Sequence, residues 1–211
     1  GRGMTAKESF WDRQAEGYAK RPIRDEASYQ KKLEITRTYF RPDMSVMEFG
    51  CGTGSTAILH APHVKHIDAY DVSEKMIEIA KAKAAAANIS NITFRAAAIG
   101  DINPPAGSYD AVLGLNILHL LKDPAATIRR VKDMLRPGGY FISSTPCFGV
   151  GRLWFLRLMI PPARVLGYAP LLRFLTPNGL RKSITDAGFT IDQEWSHAKG
   201  IVLFVVAKKP A

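Results

Sequence analysis

The chain has 211 residues, room for one domain with a full core, and its 46% hydrophobic and 23% charged content is ordinary for a soluble globular protein. No apolar run reaches the eighteen or so residues that span a bilayer, and two cysteines, Cys51 and Cys147, are too few and too separated for a metal knuckle or a disulfide framework. The net charge of +10 is the one departure, and it leaves nucleic acid, an anionic membrane and an acidic substrate open as partners.

Gly1-Arg2-Gly3 ahead of Met4 reads as a cloning remnant, and the stretch from Met4 is too polar for a secretory signal; with the cysteine usage, a reducing cytoplasm is the expected location. Residues 5–41 carry aromatic and charged positions in helical order, and Pro22 and Pro42 break them into two helices. From Val46 to Thr145 strands and helices alternate: strand 46–49, helix 54–60, strand 66–71, helix 73–87, strand 92–95, strand 110–115, helix 124–135 and strand 139–145. Ser73 caps the second of these helices and Asn88 ends it, while Asp123-Pro124 supplies a cap and a first residue for the last. Phe189–Trp195 and Ile201–Ala207 read as two strands of a hairpin. Together these elements predict an α/β fold: a Rossmann-like, seven-stranded, mostly parallel sheet with one antiparallel strand and helices on both faces.

Residues 46–56, Val-Met-Glu-Phe-Gly-Cys-Gly-Thr-Gly-Ser-Thr, are the most informative segment. A strand that passes into a helix while a ligand touches its backbone needs residues without a Cβ, and Gly50, Gly52 and Gly54 supply three. Asp71 ends the next strand about twenty residues on, the spacing from which a carboxylate reaches the hydroxyls of a ribose. The dinucleotide fingerprint wants its third small residue at the sixth position, whereas here the third glycine comes at the fifth. Glu48, two residues before the first glycine, would repel a pyrophosphate but suits a cofactor with an ammonium or a sulfonium.

With these residues the chain resembles the class I S-adenosylmethionine-dependent methyltransferases. Ser108-Tyr109-Asp110-Ala111-Val112-Leu113-Gly114-Leu115-Asn116-Ile117-Leu118-His119 is similar to that family's fourth strand and following loop, and Leu135-Arg136-Pro137-Gly138-Gly139-Tyr140-Phe141-Ile142 to its turn into the fifth. Phe10-Trp11-Asp12 with Tyr18 resembles the opening of the small-molecule branch that includes the ubiquinone and menaquinone biosynthesis methyltransferases. The resemblance implies S-adenosyl-L-methionine as cofactor and S-adenosyl-L-homocysteine as product. It implies contacts from Glu48, Gly50, Cys51, Gly52, Gly54 and Asp71, adenine packing by Val72, Ala98 and Ile99, and a methionine end near Asn116 and Tyr18. One departure stands out: where the family has Gly-Asp-Ala after the third strand, this chain has Ala97-Ala98-Ile99, so backbone groups of Ala98 and Ile99 would serve the adenine.

On this reading 1–211 is a single methyltransferase domain: a helical cap (4–42), a cofactor-binding core (43–147), a lid and substrate insertion (148–187) and a C-terminal hairpin (188–209). From Met134 to Thr185 there is no Asp or Glu, while Arg136, Arg152, Arg157, Arg164, Arg173, Arg181 and Lys182 fall there among apolar clusters such as Leu153-Trp154-Phe155-Leu156. An apolar or lipid-like small-molecule acceptor is expected, with peripheral contact to an anionic membrane as one role for the arginines and solubility of a greasy lid as the other. An RNA or protein methyltransferase, and a non-catalytic cofactor-binding protein, are the competing readings; nucleic acid is disfavoured because the basic residues are interleaved with apolar ones. His119, just past the fourth strand, is either a general base for the acceptor or a packing residue. Trp11 is either cap core or ligand contact, and Cys147 is not needed for direct methyl transfer. Asn103-Pro104-Pro105-Ala106 is similar to a motif of DNA amino-methyltransferases but precedes the fourth strand and lacks the terminal aromatic. No metal is expected.

Overall fold

A computed structural model describes residues 3–21, 25–149 and 173–211 of the chain. Two helices come first, α1 (Ala6–Lys20) and α2 (Glu26–Arg37). Thr5 and Glu8 close a reciprocal capping box on α1, and Asp25 caps α2 by accepting from the Ser28 amide. The alternating core follows as β1 (Ser45–Phe49), α3 (Ser55–His60), β2 (His66–Asp71), α4 (Glu74–Ala86), β3 (Ile92–Ala96), β4 (Tyr109–Leu115), α5 (Pro124–Met134) and β5 (Leu135–Pro146). Helix α6 (Pro177–Asp186) and the hairpin β6 (Thr190–His197) and β7 (Val202–Lys208) complete it.

The seven strands form one sheet in the order β3-β2-β1-β4-β5-β7-β6. All pairs from β3 to β5 are parallel, and β7 runs antiparallel to both β5 and β6. Side chains alternate between two cores, as a period of two requires: Met47, Phe49, Val112, Phe141 and Val205 point to the face covered by α5 and α6, and Val46, Leu113, Ile142, Phe204 and Val206 to the face covered by α3 and α4. Burial on both sides is why these strands read as continuous apolar runs. Helix α1 rests on the N-terminus of α4, where Asp12 accepts from the Ser73 hydroxyl and from the Lys75 amide at 3.3 Å.

Several boundaries differ from the sequence reading by a residue, and β5 and the hairpin differ in ways that matter. Strand β5 starts at Leu135 rather than 139, because Leu135 pairs with Tyr109 ahead of the turn at Gly138 (φ +79°), and Arg136 reaches Asp110 at 2.6 Å. The hairpin strands run one or two residues further than expected, which brings His197 into β6. The chain passes from one side of β1 to the other between β3 and β4, so the C-terminal ends of β1 and β4 diverge and open a crevice, the place where open α/β sheets hold ligands.

Candidate active site

The crevice is built on the turn after β1. Gly50, Gly52 and Gly54 have φ of +67°, +56° and +78°, the left-handed region that costs other residues a steric penalty. Among the described residues a Cβ at Gly52 would have only the Tyr18 ring within 4 Å, at 3.8 Å, so this peptide stands open to a ligand. Gly54 differs: a Cβ there would lie 2.9 Å from Ala80 and from the Phe94 ring, so it faces the core and caps α3 instead of lining the crevice.

Asp71, at the tip of β2, ties the turn in place. Its Oδ2 accepts from the Gly52 amide at 2.9 Å and its Oδ1 from the Ser73 amide at 3.0 Å. An ionised carboxylate has about four acceptor sites, so two remain for hydroxyls. Burial raises its pKa, and the two amides and the Lys7 ammonium pull it back. Lys7 stands in the same crevice, its own pKa lowered by burial and raised by Asp71.

On one side of Gly50 and Gly52 the crevice is an apolar slot walled by Val72, Met76, Ala98, Ile99, Leu120 and Leu121, with Trp11 and Tyr18 of α1 over it. Ala98 and Ile99 line this slot; Asp101, one short turn later, is not among the lining residues. On the other side lies a chamber of about 740 Å³ with a mixed polar and apolar wall, lined by Tyr18, Glu48, Cys51, Asn116, Tyr29, Thr56, Lys32, Phe148 and His197 among others. Asn116 closes β4 at φ +55°, a conformation Asn tolerates better than most, with its amide bonded to the Ser144 carbonyl at 2.7 Å. Glu48 is 3% exposed, and burial, then the charge of Asp71, pushes its pKa up to about 8.

Tyr18, Glu48, Gly50, Cys51, Gly52, Asp71, Val72, Ala98, Ile99 and Asn116 are thus brought to one crevice, and Gly54 is not. Nor is His119. Its ring meets Phe148 edge-on at 6.1 Å, its carbonyl accepts from the Arg173 amide, and burial holds its pKa down at about 4. It is outside the residues that line the slot and the chamber, and its Nδ1 is buried without a hydrogen-bond partner among the described residues. Cys147 is fully buried, its thiol pushed up to about 11, which rules out an activated nucleophile. The sequence reading missed Lys7, Lys32 and His197. Lys7 could have been found, because with Trp11 and Tyr18 it makes one stripe of α1; His197 has no local signal. Residues 150–172, which carry most of the apolar-basic insertion and so the lid and membrane expectations, lie outside the described residues. Among the described residues there is no group of three His, Cys, Asp or Glu that could hold a metal, and no helix is long and apolar enough to cross a membrane.

Glu48 makes stability pH-dependent. Because its folded pKa lies above the unfolded value, the folded chain binds a proton the unfolded chain lacks, so stability falls as pH rises towards about 8. The buried histidines His60 and His119, with lowered pKa values, act in the opposite sense only below their unfolded value of about 6.5. From about pH 6.5 to 8 the protein should lose stability on the order of 1–2 kcal/mol through Glu48, read as a falling melting temperature, and Glu48→Gln should flatten that slope. An equal slope in the variant would move the proton elsewhere.

A family model described as a methyltransferase domain matches residues 18–194. A ubiquinone biosynthesis O-methyltransferase of Methylocella silvestris is 27% identical over 182 residues, covering 82% of this chain and 70% of the relative. One of the same name from Acinetobacter baumannii is 24% identical over 156 residues, 70% of this chain, and the match spans only 64% of that protein's length. Among solved structures, an S-adenosylmethionine dependent methyltransferase from Mesorhizobium loti superposes with a TM-score of 0.70 at 20% identity, covering 85% of this chain and 96% of the other, a likeness of fold.

Proposed function

The chain belongs to the methyltransferase domain family, of the class I S-adenosylmethionine-dependent kind, and from that premise we propose that it transfers a methyl group from S-adenosylmethionine to a small acceptor bound in the larger chamber. One observation carries the reading: two acids flank the open Gly52 peptide, the half-buried Asp71 beside the apolar slot and the buried Glu48 beside the larger chamber. A ligand with an apolar ring, a vicinal diol and a cationic amino-acid tail matches that order. Asp71 would hold the ribose hydroxyls, Val72, Ala98 and Ile99 the adenine, and Glu48 with Asn116 the amino-acid end. When bound, the cofactor supplies a methyl already made electrophilic by its sulfonium. The chain then has to align the acceptor atom and keep water out, a task of position more than of acid–base chemistry. Tyr18 and Tyr29 of the cap bound the chamber where that alignment takes place. An apolar body for the acceptor is supported by the sequence of residues 148–187; the described wall of the chamber mixes polar groups with apolar ones such as Leu115 and Phe148.

Calorimetric titration tests the cofactor directly. Micromolar binding of S-adenosylmethionine, a free energy near −8 kcal/mol, with no binding of NAD is the expected result. Binding of NAD instead would overturn the roles given to Glu48 and Asp71.

A further inference from the structure

On the far wall of the chamber stands a cation with no close ion pair, supported only at longer range by Asp25, which lines the same chamber. Lys32 of α2 is partly buried there, and its ammonium donates to the Ser144 hydroxyl of β5 at 3.2 Å; among the described residues no carboxylate is within ion-pair distance of it. Ser144 is itself 1% exposed. Beside them His197, at the end of β6, lines the same chamber with both ring nitrogens buried and without a hydrogen-bond partner. Its ring stacks on Trp195 at 5.0 Å, and Asp25 stands 3.9 Å from its Nδ1. A desolvated ammonium and an unsatisfied imidazole both cost stability in the empty chamber, and an anion entering between them would relieve both.

We propose that the acceptor is a small oxyanion, a molecule whose carboxylate or phosphate is held by Lys32 and His197 while its reacting atom lies at the Glu48 and Asn116 end. This deepens the methyltransferase reading and rests on it. The sheet order sets the scale. Asn116 follows β4, Ser144 lies in the neighbouring β5, and β6 is two strands further. At about 4.8 Å per strand, the His197 main chain is about 14 Å across from the β4 tip. That is too far to take a proton from the atom under attack, and suits recognition of the opposite end of a ring-sized molecule.

The charged groups facing His197 are Asp25 and Lys32, with the Lys31 ammonium over the ring of Trp195 at 4.3 Å. Burial and Lys32 lower its pKa and Asp25 raises it, so the imidazole is neutral when the chamber is empty. A bound anion favours the imidazolium, with Asp25 facing its Nδ1, and affinity for the anion should rise as pH falls below neutral.

The test is calorimetric titration of the full chain, saturated with S-adenosylhomocysteine, using benzoate, benzamide and inorganic phosphate as probes. Expected is binding of benzoate or phosphate at least about tenfold tighter than benzamide, lost in Lys32→Met and largely kept in Lys32→Arg. Whichever anion binds more tightly identifies the carboxylate or the phosphate as the group recognised. Equal binding of benzoate and benzamide with weak phosphate, no binding of either anion, or a preference that survives Lys32→Met would overturn the proposal. Because S-adenosylhomocysteine affinity is measured in the same samples, a failure there counts against the methyltransferase reading and not against the anion site.

Discussion

Asp71→Ala is expected to weaken S-adenosylmethionine binding about ten- to a hundredfold, the equivalent of losing about 1.5–3 kcal/mol of charge-assisted hydrogen bonding. The structure adds a second reason for the loss. Both oxygens of Asp71 already accept main-chain amides, from Gly52 and from Ser73, so alanine removes the brace of the turn along with the ribose contact. Asp71→Asn should recover little, since an amide can accept only one of the two bonds and turns a donor towards the other N–H. Lys7 would also lose the carboxylate that supports its charge. Calorimetry and melting temperature separate the two effects: a variant that melts lower but binds the cofactor with full affinity would confine Asp71 to a structural role.

The second large effect concerns two glycines that look alike in sequence. Gly54→Ala places a methyl 2.9 Å from Ala80 and Phe94 at φ +78°. The left-handed backbone costs about 1–2 kcal/mol and overpacking about 1–3 more, so about 2–5 kcal/mol of stability should go, a shift in melting temperature on the order of 10 °C. Gly52→Ala has space for its methyl and should cost only the backbone part, while the methyl projects into the crevice and binding falls more than about tenfold. Two variants with the same stability loss would contradict the division of roles.

Much of the fold is legible in the sequence because its signals are local. The glycine turn between an apolar strand and a helix, the caps Ser73 and Asp123, and the left-handed exit at Asn88 are each set by neighbouring backbone, and all are found in the structure. The position of β5 shows the limit: Leu135 looks like the end of a helix until Tyr109 is beside it.

The sequence by itself determined the order of the elements, the seven-stranded mixed sheet and the acids on either side of the glycine turn, since periodicity and the absence of a Cβ act over a few residues. Only the tertiary structure decided which polar groups share the chamber. His119 follows β4 directly and still packs under Phe148, whereas His197 and Lys32, 165 residues apart in the chain numbering, meet on one wall. Strand order produces that meeting: β7 inserts antiparallel beside β5 and leaves the end of β6 at the same edge of the sheet as the ends of β1 and β4. Pairing between strands far apart in sequence is set by which faces bury together, and no window of local sequence contains it.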